Sequence, residues 1–464
     1  MQYKILTKKT VEYIIYIYDF NTEFIMLNLM NKINHLPCSC GKTHSFDCDI
    51  YVGKGAVENL GDALKKYNSK KVFVFADVNT YKVGGKSVGN ILDYSKIPYS
   101  VFVFDKSPKP DEHAVGAVAL HCPKDADTVI AIGSGVLNDI GKILTAQGNK
   151  TYMTVATAPS MDGYVSTSSS MCRDGLKVTI SSKSPEVIIG DSDILKTAPK
   201  KMMISGIGDM LAKYVSICEW RISNLLTGEY YCEEIANLTR LALKSCLDTA
   251  DGLLSGDEDA VLALFRGLLV GSAAMNYAGI SRPASGVEHY ISHVIDMRYE
   301  EFGTPCDFHG IQCAIGTYIS VKLYEKLKSI IPDYNRGVQY AESFDLSDWN
   351  SRLRSLLGKG AESMIKLEET EGKYDINKHA SRLPLIIKNW NTILSIMEEE
   401  LPKIEYLDSL YEKLGIPKST SNIGTDESLL PEIFRASKDI RDKYVLPRLL
   451  WDLGILDEFA NSLN

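Results

Sequence analysis

Asp209, His289 and His309 are residue types that hold a divalent cation, and each stands in a motif that could present it. Asp209 lies in Ser205-Gly-Ile-Gly-Asp209. His289 and His293 lie in Arg282-Pro-Ala-Ser-Gly-Val-Glu-His289-Tyr-Ile-Ser-His293, and His309 lies in Phe308-His309-Gly310. One carboxylate with two imidazoles suits zinc, and also nickel or iron. Three protein donors leave a position open for a substrate oxygen, as a catalytic site requires. Asp209 and Lys213 are four residues apart, as are His289 and His293, so on helices each pair shares a face. His293 would then sit one turn from the cation, where it could orient a substrate or relay a proton. Lys213 could neutralise an anionic substrate group. The competing reading is a set of histidines that only satisfy packing in a helical domain. His35, His44, His113, His121 and His379 show no comparable context.

A second chemistry is suggested upstream. Gly133-Ser134-Gly135 follows an apolar run and precedes a helical stretch from Val136 to Leu144. Glycines let backbone approach a pyrophosphate, and a helix N-terminus offers free N–H groups and a favourable dipole. As a dinucleotide fingerprint the match is weak: Asn138 holds the third glycine's place, and the downstream acidic residue is missing. Asp139 and Lys142, one turn apart, could pair. Thr157-Ala-Pro-Ser160-Met-Asp162-Gly163 ends the next apolar run. Asp162 could accept a hydrogen bond from a substrate hydroxyl, or it could cap local backbone. Asp77 could take adenosine ribose hydroxyls, or it could N-cap the helix that follows it.

The elements that must position these residues fall into two kinds. Lys71–Ala76, Tyr99–Phe104, Thr128–Ile132 and Tyr152–Ala156 are short apolar runs separated by helical stretches, the pattern of a parallel sheet covered on both faces. Ligands of such sheets bind at the strands' carboxyl ends, where the polar clusters fall. After Pro199 the apolar spacing turns helical, over Met202–Leu225, Glu233–Leu253, Asp259–Tyr277 and His309–Ile330. The expectation is an N-terminal extension (1–45), an α/β dinucleotide-binding domain (46–199) and an all-α metal and substrate domain (200–464). Leu346–Lys378, charged and punctuated by glycine, reads as an exposed excursion. Asp439–Leu456 reads as a closing amphipathic helix.

With 464 residues the chain exceeds a single core of about 250–300 residues, so at least two domains are expected. A net charge of −8 gives no sign of a nucleic-acid-binding surface. No stretch reads as a bilayer span; Val11–Met30 is broken by acids and lacks a cleavage site, which points to the cytoplasm. Met26 and Met30 are alternative starts. The ten cysteines are scattered, as reduced thiols in a cytosol would be. Cys38-Ser-Cys40-Gly-Lys-Thr-His44, followed by Cys48, could bind zinc or could be a turn with buried thiols.

Taken together, the motifs Gly-Ser-Gly-x-x-x-Asp139-x-x-Lys142, Thr157-Ala-Pro-Ser-Met-Asp162-Gly163, Gly208-Asp209-Met-Leu-Ala-Lys213, Arg282-Pro-Ala-Ser-Gly-x-Glu-His289 and His309-Gly310 resemble, in this order, those of sn-glycerol-1-phosphate dehydrogenases. These belong to the iron-containing alcohol dehydrogenase and glycerol dehydrogenase superfamily. The resemblance runs from about Cys38 to Thr317 and returns from Asp439 to Gly454. It implies a dehydroquinate synthase-like architecture with the active site between an α/β and a helical domain. The implied reaction is NAD(P)H-dependent reduction of dihydroxyacetone phosphate to sn-glycerol 1-phosphate, and its reverse. Pyrophosphate would lie on Gly133, Ser134, Gly135 and Asp139, nicotinamide and ribose near Thr157, Ser160 and Ser168, and substrate near Asp162. The metal would lie on Asp209, His289 and His309. Lys213 with Arg282 favours a phosphate ester, with Arg282 alternatively a buttress of its own loop, and Asp77 leans towards NAD over NADP. Three other readings share the scaffold: a glycerol dehydrogenase, a dehydroquinate synthase-type lyase and a catalytically silent binding protein. The expected partners are the small phosphate substrate and further copies of the chain, without nucleic acid or membrane insertion.

Overall fold

A computed structural model describes residues 34–35, 37–173 and 176–463. Most of the N-terminal extension, with Val11–Met30 and both alternative starts, lies outside the described residues. Eight strands are formed: β1 (Asp49–Gly53), β2 (Val72–Asp77), β3 (Tyr99–Phe104), β4 (Thr128–Gly133), β5 (Thr151–Ala156), β6 (Ser168–Arg173), β7 (Leu176–Ser181) and β8 (Val187–Asp191). Six of them make one sheet in the order β1-β8-β5-β4-β2-β3. All its pairings are parallel, with registers such as Asp77↔Phe104 and Gly133↔Ala156. β2, β4 and β8 are buried at every position. Alternate side chains feed two separate cores: Val72, Val74, Ala76, Ile130 and Ile132 on one face, Phe73, Phe75, Val129 and Ala131 on the other. This two-sided burial is why the strands read as unbroken apolar runs.

β3 and β4 lie on opposite sides of β2, so the strand order reverses there and opens a crevice at the carboxyl ends. The antiparallel hairpin β6–β7 was not anticipated from the sequence. Its serine-rich first strand carries little apolar alternation.

Helices follow the sheet: α1 (Gly135–Gly148) within it, then α2 (Lys200–Thr227), α3 (Glu233–Asp248), α4 (Glu258–Ala278), α5 (Val287–Phe302) and α6 (His309–Leu327). The architecture is the expected α/β unit followed by a helical one. Among the described residues α4 is long and apolar enough to cross a membrane, contrary to the sequence reading, but it is buried in the helical core. α2 and α6 touch through glycines. A Cβ on Gly208 would collide with the Gly310 carbonyl, and one on Gly310 would collide with the Ser205 carbonyl. That close approach brings Asp209 and His309 together.

Two expectations need correction. Leu346–Lys378 is not an exposed excursion: its helices Leu346–Leu357 and Gly360–Glu371 bury Trp349, Leu353, Leu357 and Met364. The buried Asp439 carboxylate accepts hydrogen bonds from the Trp349 indole (2.8 Å) and the Tyr374 hydroxyl (2.7 Å), anchoring the segment. Nor is Asp439–Leu456 one amphipathic helix. Leu446–Asp452 is helical and buried all round, and a separate short helix opens at Leu456.

Candidate active site

The glycine turn ends β4 and opens α1. Ser134 sits at the N-cap but makes no side-chain cap; its hydroxyl bonds Ser160 Oγ at 2.6 Å instead. The first N–H groups of α1 are therefore left without a side-chain acceptor, as an anion site needs. Asn138, in the usual glycine's place, is buried and donates to the Tyr164 carbonyl at 3.1 Å, tying the following loop down. Lys142 pairs with Asp139 at 2.7 Å and donates to Ser166 Oγ and the Ser168 carbonyl. Asp139 also accepts the Ser170 N–H at 3.2 Å. The Asp139–Lys142 pairing thus positions the serine-rich strand beside the glycine turn.

A cavity of about 760 Å³ opens in front of this turn. Gly135, Asp139, Asp162 and Ser168 line it on the sheet side, and His289, His293 and His309 on the helical side. Gly133, Ser134, Thr157 and Ser160 are not among its lining residues. Neither is Asp77, whose Oδ1 accepts the Asn79 and Thr80 N–H groups and whose Oδ2 accepts the Ser107 hydroxyl. Asp77 is an N-cap with a full set of partners.

At the cavity floor, ligand atoms of Asp209, His289, His309 and Cys313 lie within 4.8 Å of one another. Asp209 comes from α2, His289 from α5, and His309 and Cys313 from the first turns of α6. Asp209 Oδ1 is buried without a well-formed hydrogen bond and faces His289 Nε2 at 3.3 Å. Asp209 Oδ2 accepts the Asp162 N–H at 2.9 Å, which aims the other oxygen at the imidazoles. Glu288 Oε1 holds His289 Nδ1 at 2.8 Å, and Ser292 Oγ lies 3.2 Å from His309 Nδ1. Both contacts turn Nε2 towards the cluster, the outer support that metal-binding histidines require. The donor set fits one divalent cation. His293, one turn from His289, stacks near His309 with ring centroids 5.9 Å apart.

Charge in the cluster is tightly coupled. Burial alone would raise the Asp209 carboxyl, but the Lys213 ammonium and the close His289 imidazole hold it well below the usual carboxylate range. Burial and the neighbouring Asp209 charge push Asp162 up despite Lys213. Two carboxyls share one ammonium, and Asp162 is the more easily protonated. Burial would likewise raise the Cys313 thiol, yet His289 and His309 draw it down. Cys313 escaped the sequence reading; its only signal was a spacing of four from His309.

The two basic residues expected to meet a phosphate do not reach the cavity. Lys213 is fully buried, paired with Asp162 and 3.8 Å from Asp209 Oδ1. Arg282 is fully buried against Glu229, at 2.8 Å, and the Tyr444 carbonyl. Arg282 buttresses its loop. Among the described residues, the one Arg or Lys lining the cavity is Arg441, whose guanidinium donates to Thr179 Oγ1 at 3.2 Å.

The family model of iron-containing alcohol dehydrogenase matches residues 51–199, the sheet-bearing part of the chain. Sulfoacetaldehyde reductase from Bifidobacterium kashiwanohense, solved with NAD+, shares the fold at 15% identity. Its TM-score is 0.60, over 90% of this chain and 98% of that one. Sequence relatives narrow the class. Glycerol-1-phosphate dehydrogenase [NAD(P)+] from Geobacillus thermodenitrificans is 31% identical over 90% of this chain and 96% of its own length. The protein of the same name from Bacillus licheniformis is 32% identical over 90% and 93%. The chain belongs to the glycerol-1-phosphate dehydrogenase family.

Proposed function

We propose that the protein catalyses NAD(P)H-dependent reduction of dihydroxyacetone phosphate to sn-glycerol 1-phosphate, and the reverse. Residues 46–199 would hold the nucleotide, and residues 200–464 the metal and substrate. The observation that carries this reading is the meeting of Asp209, His289 and His309 on the cavity that the glycine turn opens, in a chain of this family.

A divalent cation (zinc, nickel or iron) on Asp209, His289 and His309 would polarise the substrate carbonyl, beside a reduced nicotinamide that supplies hydride. The protein's own residues do the rest. Gly135 and the N-terminus of α1 receive the pyrophosphate, with Gly133 and Ser134 shaping the turn behind them and Asp139 at the edge. Ser168 lines the nicotinamide side, and Thr157 and Ser160 support that wall from behind. Asp162, held by Lys213, faces the substrate hydroxyls. His293 supplies the proton that the reduced oxygen gains. Arg441 takes over the phosphate role that the sequence had suggested for Lys213 and Arg282.

Comparing NADH and NADPH oxidation by metal-loaded protein with dihydroxyacetone phosphate and with dihydroxyacetone tests this. Strong preference for the phosphate is expected. Equal or better use of dihydroxyacetone would point to a glycerol dehydrogenase.

A further inference from the structure

A second set of soft donors lies away from the active-site cluster. Cys38, Cys40, His44 and Cys232 bring one ligand atom each within 4.8 Å of the others. The sequence had offered Cys48 as the fourth member, but the Cys48 thiol points to the Asp49 carbonyl instead. Cys232, at the N-cap of α3 and remote in sequence, fills the place.

The first three donors sit on a tight turn. Pro37 and Thr43 form an antiparallel bridge, Cys38 N–H donates to the Lys42 carbonyl at 2.9 Å, and Gly41 takes a φ of 83°. Only glycine adopts that conformation readily, and it folds Cys38 and Cys40 onto the same side as His44. His44 Nδ1 is fixed on the Tyr277 carbonyl at 2.8 Å, which leaves Nε2 for the thiols. Cys40 Sγ lies 3.4 Å and Cys232 Sγ 3.7 Å from that nitrogen, and Cys38 Sγ is 3.5 Å from Cys232 Sγ. Around a tetrahedral zinc with bonds of about 2.3 Å to sulfur and about 2.0 Å to nitrogen, sulfurs stand about 3.8 Å apart and sulfur and nitrogen about 3.5 Å. These three spacings are close to those of that polyhedron, and the other donor pairs lie within 4.8 Å. The cysteines are free, and 3.5 Å is far beyond a disulfide bond of about 2.05 Å.

We propose that Cys38, Cys40, His44 and Cys232 form a structural zinc site of three thiolates and one imidazole. All four positions are filled by protein, so the site is closed to substrate. It clips the segment before β1 to the α2–α3 connection and, through His44, to the end of α4. Ser45, Phe46 and Asp47, next in the chain, line the active-site cavity. The clip therefore fixes one wall of that cavity. Tyr230 Oη lies 3.3 Å from Cys40 Sγ and braces that donor from outside the cluster.

The test is metal analysis and zinc-edge X-ray absorption on the full chain, purified under reducing conditions and desalted. Asp209→Asn, which disables the catalytic cluster, is expected to keep one zinc per chain with three sulfur neighbours and one nitrogen. Cys40→Ser with His44→Ala is expected to lose that zinc. If Asp209→Asn does not fold, Cys313→Ala serves in its place, because any remaining sulfur around zinc then comes from the clip. No zinc beyond the catalytic equivalent, a zinc shell without sulfur, or a Cys38–Cys232 disulfide in freshly reduced protein would overturn the proposal.

Discussion

Lys213 offers a sharp test of how the buried charge is balanced. It is fully buried between two carboxylates, in ion pairs with Asp162 and, at 3.8 Å, Asp209. Lys213→Met keeps most of the side-chain volume but leaves both acids without a cation. Breaking a buried pair by removing one partner destabilises by about 3–5 kcal/mol, because the remaining charge is desolvated and uncompensated. Adding Asp162→Asn removes the acid that gives up its charge more readily and should restore about half of the loss. Asp209 still needs a partner, which His289 supplies in part. Urea unfolding of the wild type, both single variants and the double variant closes the cycle. The expected coupling between Lys213 and Asp162 is about 2 kcal/mol or more. Activity of Lys213→Met should fall alike for phosphorylated and free dihydroxyacetone, since the ammonium does not face the cavity. Wild-type stability in Lys213→Met, or a loss confined to the phosphorylated substrate, would refute this reasoning.

Other outcomes follow from the same structure. His309→Ala should lower metal content in the catalytic cluster and abolish turnover while circular dichroism stays native; an active, metal-free variant would contradict the assignment. Arg441→Met should raise KM for dihydroxyacetone phosphate by roughly 10–100-fold, the loss of about 1.5–3 kcal/mol typical of a hydrogen bond to a charged group, and leave dihydroxyacetone unchanged. Glu219 is fully buried; burial and Glu288 raise its carboxyl to about 8 from 4.5. The folded state therefore binds an extra proton between those values, and stability falls as pH rises through that window, by about 5 kcal/mol at most. Denaturation from pH 5 to pH 8 should show wild type losing ground to Glu219→Gln; parallel curves would place the proton elsewhere.

How much was legible in the sequence follows from what each residue depends on. The parallel strands were legible because burial on both faces writes an unbroken apolar run, as in Val72–Ala76. The meeting of Asp209 with two histidines was legible because Asp209 and Lys213, and His289 and His293, repeat at helical spacing. What failed depended on distant partners. Cys232 joins His44 from 188 residues away, and no local pattern announces it. Lys213 and Arg282 look like phosphate ligands until Asp162 and Glu229 are seen to hold them. The charges of Leu346–Lys378 suggested solvent exposure, but its apolar face docks onto the segment anchored by the buried Asp439. The β6–β7 hairpin is written in serines, and Lys142 fixes it from another element.

The most direct measurement is the configuration of the product that metal-loaded protein forms from dihydroxyacetone phosphate and reduced nicotinamide, read with a stereospecific coupling enzyme. The account predicts sn-glycerol 1-phosphate. Formation of the sn-3 isomer, or no reduced phosphate ester despite bound metal and nucleotide, would contradict it.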